Sequence, residues 1–172
     1  MVNGSTVYVE PKGKEVLKTS VDKIVLKGDK FIPNVGDLTN WAWPSESGYT
    51  NTDGWGWRIH PITGERSFHY GIDIAGTGYN SDVYSANNGT VVVASNRYDF
   101  GNYIIVDHNN GYYTLYGHMN KFAKGIKVGT TVAKGQLIGY VGSTGYSTGP
   151  HIHFEVWKDC RYCRVSPWSI YR

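Results

Sequence analysis

The sequence lacks both the long apolar runs that cross membranes and the long periodic segments that form helices. None of its 172 residues lies in an uninterrupted apolar run of about 18 residues, so no transmembrane segment is predicted. No segment of about ten residues or more repeats its apolar side chains with the roughly 3.6-residue period of a helix. The first residues also lack the apolar centre of a secretion signal, so we expect no export signal within this sequence.

Charge is sparse as well. Charged residues make up 18% of the chain, and the formal net charge is +3, which is far from the strongly basic surface of a nucleic-acid-binding domain. No cluster of lysines and arginines is interleaved with aromatic residues. Nucleic acid is therefore not an expected partner.

Cysteine is limited to Cys160 and Cys163, which form a single CxxC motif. A structural zinc site of this kind needs a second cysteine pair, and a thioredoxin-like site needs the motif at the start of a helix in a βαβ unit. Neither context is present. A local disulfide and two free thiols are the two interpretations that remain.

Glycine and tyrosine are abundant instead, with 22 and 14 residues, and such chains favour β-strands joined by many turns. We predict an all-β fold, mainly antiparallel sheet with few or no long helices. The predicted strands are 67–74, 90–94, 103–106, 112–116, 125–134, 136–141 and a last strand within 149–157. Residues 1–38 are expected to form a linker or small β-extension, and residues 39–172 the main domain.

The stretch 149–157 reads GPHIHFEVW and carries His151 and His153 one residue apart. On a helix these side chains would point about 200° apart, whereas on a strand they share one face with Glu155. The apolar residues between them share the other face and would pack into a core. Two imidazoles on the polar face of a sheet suit a metal site; the alternative is a strand with two exposed histidines.

His69 and Asp73 lie four residues apart in the run FHYGIDIAG. The intervening glycine and the alternating isoleucines favour a single strand with His69 and Asp73 on one face. A hydrolytic zinc site takes three ligands from histidine, aspartate and glutamate and leaves one position to water. His69, Asp73 and one histidine of the HxH pair would supply that set; the alternative is a hydrogen-bonded pair within a sheet.

The other histidines are less informative by themselves. His118 shares strand parity with Tyr112, Thr114 and Tyr116, which predicts a polar face. His108 is interpreted as structural or solvated, and His60 as a local loop residue. Glu155 either accepts a hydrogen bond from the free ring nitrogen of a ligand histidine or is an exposed strand residue.

At these residues the sequence resembles a known family, the lysostaphin-type (LytM-like) zinc metalloendopeptidases. The motifs that carry the resemblance are HxxxD at His69–Asp73, YGH at Tyr116–His118 and STGPHIHFEV ending at Val156. The flanking runs GWGWRIHPITGERSFHYGIDI and KGQLIGYVGSTGYSTG fit the same pattern. The likeness covers roughly residues 40–168, with the three motifs in the family's order.

The resemblance implies a compact antiparallel β domain with a groove walled by loops, acting on peptidoglycan peptides. It makes His69, Asp73 and His153 the ligands of one zinc ion per chain. His118 and His151 become a catalytic pair that does not bind the metal, one as general acid and base and the other as oxyanion stabiliser, around a zinc-activated water. The expected protein is a monomer, extracellular or associated with the cell wall, of bacterial or phage origin.

Substrate selectivity is expected in the glycine-rich loops at residues 76–81, 95–102, 121–131 and 143–150, where small residues let an extended peptide approach the backbone. Tyr79, Tyr98 and Tyr146 are the candidate groove walls. Other functions stay open: a catalytically silent module that binds peptidoglycan or activates a partner hydrolase, a carboxypeptidase acting on D-Ala-D-Ala, and a protease of glycine-rich proteins.

Overall fold

The computed structural model describes residues 33–46, 50–76 and 78–171. The expected linker or β-extension at residues 1–38 therefore lies mostly outside the described residues. Its last part is described and contacts the domain, because the Gly36 amide donates to the His108 carbonyl at 2.8 Å and Asn87 Nδ2 donates to the Asp37 carbonyl at 2.8 Å. The division of the chain near residue 38 stays a prediction.

The described residues form short β-strands and one 3-10 turn at Pro167–Ser169. In chain order, the strands are β1 (Thr50–Asp53), β2 (Gly56–Ile59), β3 (Arg66–His69), β4 (Ile72–Ala75), β5 (Asp82–Tyr84), β6 (Gly89–Arg97), β7 (Gly101–Asp107), β8 (Tyr112–Met119), β9 (Lys121–Phe122), β10 (Thr131–Val132), β11 (Leu137–Tyr140), β12 (Ile152–Lys158) and β13 (Arg164–Val165).

These strands build one large sheet, one small sheet and a two-stranded ribbon. The large sheet has the order β10-β6-β7-β8-β12-β4-β1, with β13 also paired to β12; the small sheet has the order β9-β11-β5; and β2 pairs with β3. Every pair is antiparallel. The predicted all-β, antiparallel fold is confirmed, and no long helix occurs among the described residues.

The large sheet is buried on both faces, which explains the continuous apolar run in β7. Ile104 and Val106 join the main core, whereas Ile105 packs on the opposite face with Leu115 and Trp157. The main core also takes side chains from the small sheet, so these two sheets pack against each other. Residues of β12 alternate as predicted. The core side of that strand is formed by Ile152, Phe154 and Val156.

Three predicted segments differ from the structure. The single strand expected at 67–74 is wrong, because β3 and β4 are separate strands in different sheets. The loop expected at 95–102 is mostly a tight hairpin between β6 and β7. The strand expected at 125–134 is reduced to Thr131–Val132, since glycines with left-handed backbone at Gly125 and Gly129 (φ 88° and 90°) interrupt it.

The CxxC motif forms the local disulfide, one of its two interpretations. Cys160 and Cys163 form a disulfide within the connection between β12 and β13. Among the described residues, no helix is long and apolar enough to cross a membrane.

Candidate metal centre and active-site cleft

The structure brings His69, Asp73 and His153 together, as the sequence predicts for the metal ligands. Their ligand atoms all lie within 4.8 Å of one another. His153 Nδ1 lies 3.0 Å from His69 Nε2 and 3.0 Å from Asp73 Oδ1, and His69 Nε2 lies 3.3 Å from Asp73 Oδ1. All three residues are buried.

Strand register and one glycine position these side chains. Asp73 on β4 is directly opposite His153 on β12, so the two face each other across neighbouring strands. His69 is the last residue of β3, in the two-stranded ribbon. Gly71 links β3 to β4 and passes so close to β12 that an added Cβ would lie 2.6 Å from the Phe154 carbonyl oxygen and 2.8 Å from His153 Cε1.

The second ring nitrogen of each ligand histidine has a hydrogen-bond acceptor. His69 Nδ1 donates to the Gly54 carbonyl at 2.9 Å, and His153 Nε2 donates to Glu155 Oε1 at 3.1 Å. A neutral imidazole carries one proton, so these bonds leave Nε2 of His69 and Nδ1 of His153 as the lone-pair nitrogens. Those are the two nitrogens that converge on Asp73.

The charges of this cluster stabilise one another. Burial alone would raise the pKa of Asp73, but hydrogen bonds and charges from His153 and His69 hold it well below its ordinary value. Without a metal ion, burial opposes the charge on His153, yet the carboxylates of Asp73 and Glu155 raise its pKa to about 9, so the ring must lose its Nδ1 proton when that nitrogen binds a metal. Glu155, also buried, has a lowered pKa because hydrogen bonds and charges outweigh its desolvation.

This donor set fits a catalytic zinc site. Two imidazole nitrogens and one carboxylate oxygen are the ligand types of hydrolytic zinc centres that keep a fourth position open. Ligand atoms about 2.0–2.1 Å from a tetrahedral zinc ion lie about 3.3 Å apart, and the separations here are 3.0–3.3 Å. The acceptors behind both rings are also what ligating histidines require.

His118 and His151 lie beside this centre with a different orientation. Their ring centroids are 4.7 Å apart, and that of His118 is 5.9 Å from His153. His118 Nδ1 donates to the Thr144 carbonyl at 2.8 Å, and His151 Nδ1 donates to the Gly149 carbonyl at 2.8 Å. In the neutral form of each ring, Nε2 is therefore the proton acceptor.

The backbone of His118 is left-handed, with a φ of 58°, which is unfavourable for a residue with a Cβ. Gly117, not His118, is opposite His153 in the register of β8 and β12. Strict alternation would thus place His118 on the other face with Thr114 and Tyr116. The expected polar face on β8 is wrong, because those two residues are fully buried.

The environment of His118 keeps its ring neutral. Burial, with added repulsion from His151 and His153, lowers the pKa of His118 to about 4. Its side chain is therefore unprotonated near neutral pH and can accept a proton at Nε2.

Clefts open on both sides of the cluster. One of about 320 Å³ runs beside Asp73 and His151, and another of about 280 Å³ runs beside His69 and His153. Between them, Tyr146 packs against His60 with ring centroids 5.4 Å apart and faces His118. Tyr79 and Tyr98 are exposed and do not line these clefts; their role in the groove stays a prediction.

Sequence reasoning missed two residues of the cleft, His60 and Arg58. His60 Nδ1 accepts hydrogen bonds from the backbone amides of Ile62 and Thr63, as expected for a local loop residue. The same ring also lines the cleft. Arg58 lies on β2 and contacts Asp73. The pairing of the two ribbon strands links Arg58 to the site. Arg58 is opposite Ser67 and Gly56 is opposite His69, which places Arg58 and His69 on one face of the ribbon.

The sequence matches one protein family and several curated proteins. The sequence model described as Peptidase family M23 matches residues 67–165. The chain is 43% identical over 99 residues, 58% of its length, to the peptidoglycan DD-endopeptidase ShyB of Vibrio cholerae. It covers 22% of that protein and similarly small shares of other curated relatives.

Solved structures agree with the sequence comparison. The catalytic domain of the antimicrobial peptidase lysostaphin from Staphylococcus simulans superposes with a TM-score of 0.63 at 33% identity, over 70% of this chain and 90% of that domain. A zinc-containing peptidase from Vibrio cholerae superposes with a TM-score of 0.64 at 37% identity, over 72% of this chain and 37% of that one.

Proposed function

Because the chain belongs to peptidase family M23, we propose that it is a zinc-dependent endopeptidase that hydrolyses peptide bonds of bacterial peptidoglycan. The observation that carries the proposal is the convergence of His69, Asp73 and His153 beside open clefts. The likeness to ShyB favours a D,D-peptide bond of the cross-link as the scissile bond.

In this proposal His69, Asp73 and His153 hold the zinc ion. The bound metal supplies a Lewis acid that polarises the scissile carbonyl and lowers the pKa of the attacking water towards about 7. Glu155 fixes the His153 ring by accepting a hydrogen bond from its Nε2 at 3.1 Å, and the Gly54 carbonyl accepts one from His69 Nδ1. These contacts keep the metal-binding nitrogens aimed at one point before any ion arrives.

We assign proton transfer to His118. Its ring is neutral near pH 7 and its Nδ1 proton is committed to the Thr144 carbonyl, so Nε2 accepts the proton of the attacking water and returns it to the leaving amine. His151 Nε2 lies 3.7 Å from Asp73 Oδ1 and so faces the same centre. With a proton on Nε2, His151 would donate a hydrogen bond to the developing oxyanion.

The proposed working place is the cell envelope, where peptidoglycan lies, and the finer expectation is an extracellular or wall-associated monomer. The disulfide between Cys160 and Cys163 fits an oxidising compartment outside the cytosol. A catalytically silent module is disfavoured, because the chain carries all five histidine and aspartate residues that the proposed mechanism uses.

The test is digestion of purified peptidoglycans that differ in cross-bridge, with the products analysed by mass spectrometry. We expect new amino termini at cross-links with the zinc-loaded protein and none with His118→Ala. Release of single terminal residues without new internal termini would indicate a carboxypeptidase instead. If no peptidoglycan is cleaved while the protein is folded and loaded with zinc, the proposed function is wrong.

A further inference from the structure

Two carboxylates face each other at the edge of the large sheet. Asp53 on β1 is directly opposite Asp73 on β4. Like charges in directly opposed positions of an antiparallel pair repel each other, and Asp73 is largely buried, where water screens little of that repulsion. A cation between the two carboxylates would relieve this repulsion.

Arg58 provides that cation. Its Nη1 atom forms an ion pair with Asp53 Oδ2 and lies 3.7 Å from Asp73 Oδ2. The other oxygen of Asp73, Oδ1, is the one near His69 and His153. The two oxygens of Asp73 thus have separate surroundings, a guanidinium on one side and the metal cluster on the other.

We propose that Arg58 is a positioning residue for the metal site, which bridges Asp53 and Asp73 and thereby presents Asp73 Oδ1 to the zinc ion. This inference rests on the proposed function, because it requires that Asp73 is a zinc ligand. Arg58 acts through Asp73 in this role.

The surroundings of Arg58 favour this role over an incidental surface pair. Its side chain is 19% exposed, and that of Asp73 is 12% exposed. Nε of Arg58 is buried without an acceptor among the described residues. The side-chain position that brings Nη1 to the two carboxylates thus leaves one hydrogen bond of the guanidinium unmade. Lysine lacks the planar, charge-delocalised fork of arginine, so it should replace Arg58 only partly.

The experiment measures zinc affinity rather than activity. Full-length wild-type chain, Arg58→Gln and Arg58→Lys are made metal-free and titrated with zinc against a chromophoric chelator at neutral pH. Losing a partner that orients a metal ligand costs about 10- to 100-fold in affinity, and we expect that loss for Arg58→Gln and a smaller one for Arg58→Lys. Cobalt spectra of the same proteins report whether the ligand geometry has changed.

Arg66→Gln is the matched control, since Arg66 belongs to the same ribbon but covers the Trp57 ring, with Cζ 4.4 Å from its centroid. It should keep wild-type zinc affinity. A second test of the cause is the double variant Asp53→Asn with Arg58→Gln. Removing the opposing carboxylate should restore part of the affinity lost with Arg58.

The outcomes separate the two proposals. Wild-type zinc affinity and an unchanged cobalt spectrum in folded Arg58→Gln would overturn the role of Arg58 and leave the proposed function intact. If Arg58→Gln does not fold, the same criterion applies to Arg58→Lys. If the wild-type chain itself binds no zinc, both proposals are wrong.

Discussion

Replacing Glu155 with glutamine would remove a negative charge beside the metal centre and keep the side chain's size. Glu155 is 2% exposed. Oε1 accepts from His153 Nε2 at 3.1 Å, and Oε2 accepts from Trp157 Nε1 at 2.6 Å and from Arg164 Nε at 2.8 Å. A glutamine amide has one acceptor oxygen and one donor nitrogen, so at least one of these donors must face an N–H group.

Either orientation of the amide destabilises the protein. With its nitrogen at the Oε2 position, Trp157 and Arg164 lose their acceptor; with its nitrogen at the Oε1 position, His153 loses it. Removing one partner of a buried, hydrogen-bonded ion pair costs about 3–5 kcal/mol. The Arg164 side chain is 23% exposed and can be hydrated in the variant, so we expect a loss near the lower limit, about 3 kcal/mol.

Urea unfolding of the metal-free protein measures this loss, with Glu65→Gln as the control. Glu65 is exposed, so its replacement should change the free energy of unfolding by no more than about 0.5 kcal/mol. Zinc affinity of Glu155→Gln should fall about 10- to 100-fold, because the His153 ring is no longer fixed. A loss below about 1 kcal/mol together with unchanged zinc affinity would refute the role given to Glu155.

Three further predictions concern the catalytic pair, the proposed metal ligands and a buried histidine. His118→Ala should lower kcat by about 10²- to 10⁴-fold and keep one zinc per chain by metal analysis; a wild-type rate in this variant would contradict the assignment. Asp73→Ala and His153→Ala should lose the metal as well as the activity. His108 is fully buried and burial lowers its pKa to about 4, below the roughly 6.5 of an unfolded chain. Unfolded chains then bind protons first as the pH falls, so the free energy of unfolding of the metal-free protein should fall through this residue by about 1.4 kcal/mol per pH unit between about 6.5 and 4. Urea midpoints across that range should show a smaller slope in His108→Gln, and an equal slope would exclude His108 as its source.

The parts of the fold that follow from local pattern could be predicted from the sequence. The two-residue alternation of β12 places His153 and Glu155 on one face and the apolar residues on the other, as in the structure. The run Asn109–Asn110–Gly111 has the residue types that favour a turn between two strands, and Asn109 and Gly111 adopt left-handed backbone there (φ 54° and 89°).

The features that depend on contacts between distant segments could not be predicted in this way. The intervening glycine and the alternating isoleucines favour one strand through His69 and Asp73, but Gly71 passes close to the Phe154 carbonyl, and the segment is divided between the ribbon and the large sheet. The left-handed backbone of His118 likewise has no sequence signal, because histidine gives no hint of it as glycine would.

The division of the segment 66–75 explains why the candidate site needs Arg58. The proposed metal ligands come from two separate sheets: His69 from the ribbon, and Asp73 and His153 from neighbouring strands of the large sheet. A ligand set built across such a junction is only as well ordered as the contacts between its two parts. Arg58 on the ribbon reaches both carboxylates on the large sheet, so the residue that neutralises Asp53 and Asp73 also joins the ribbon to the sheet. Its loss should therefore weaken zinc binding even though all three ligands remain.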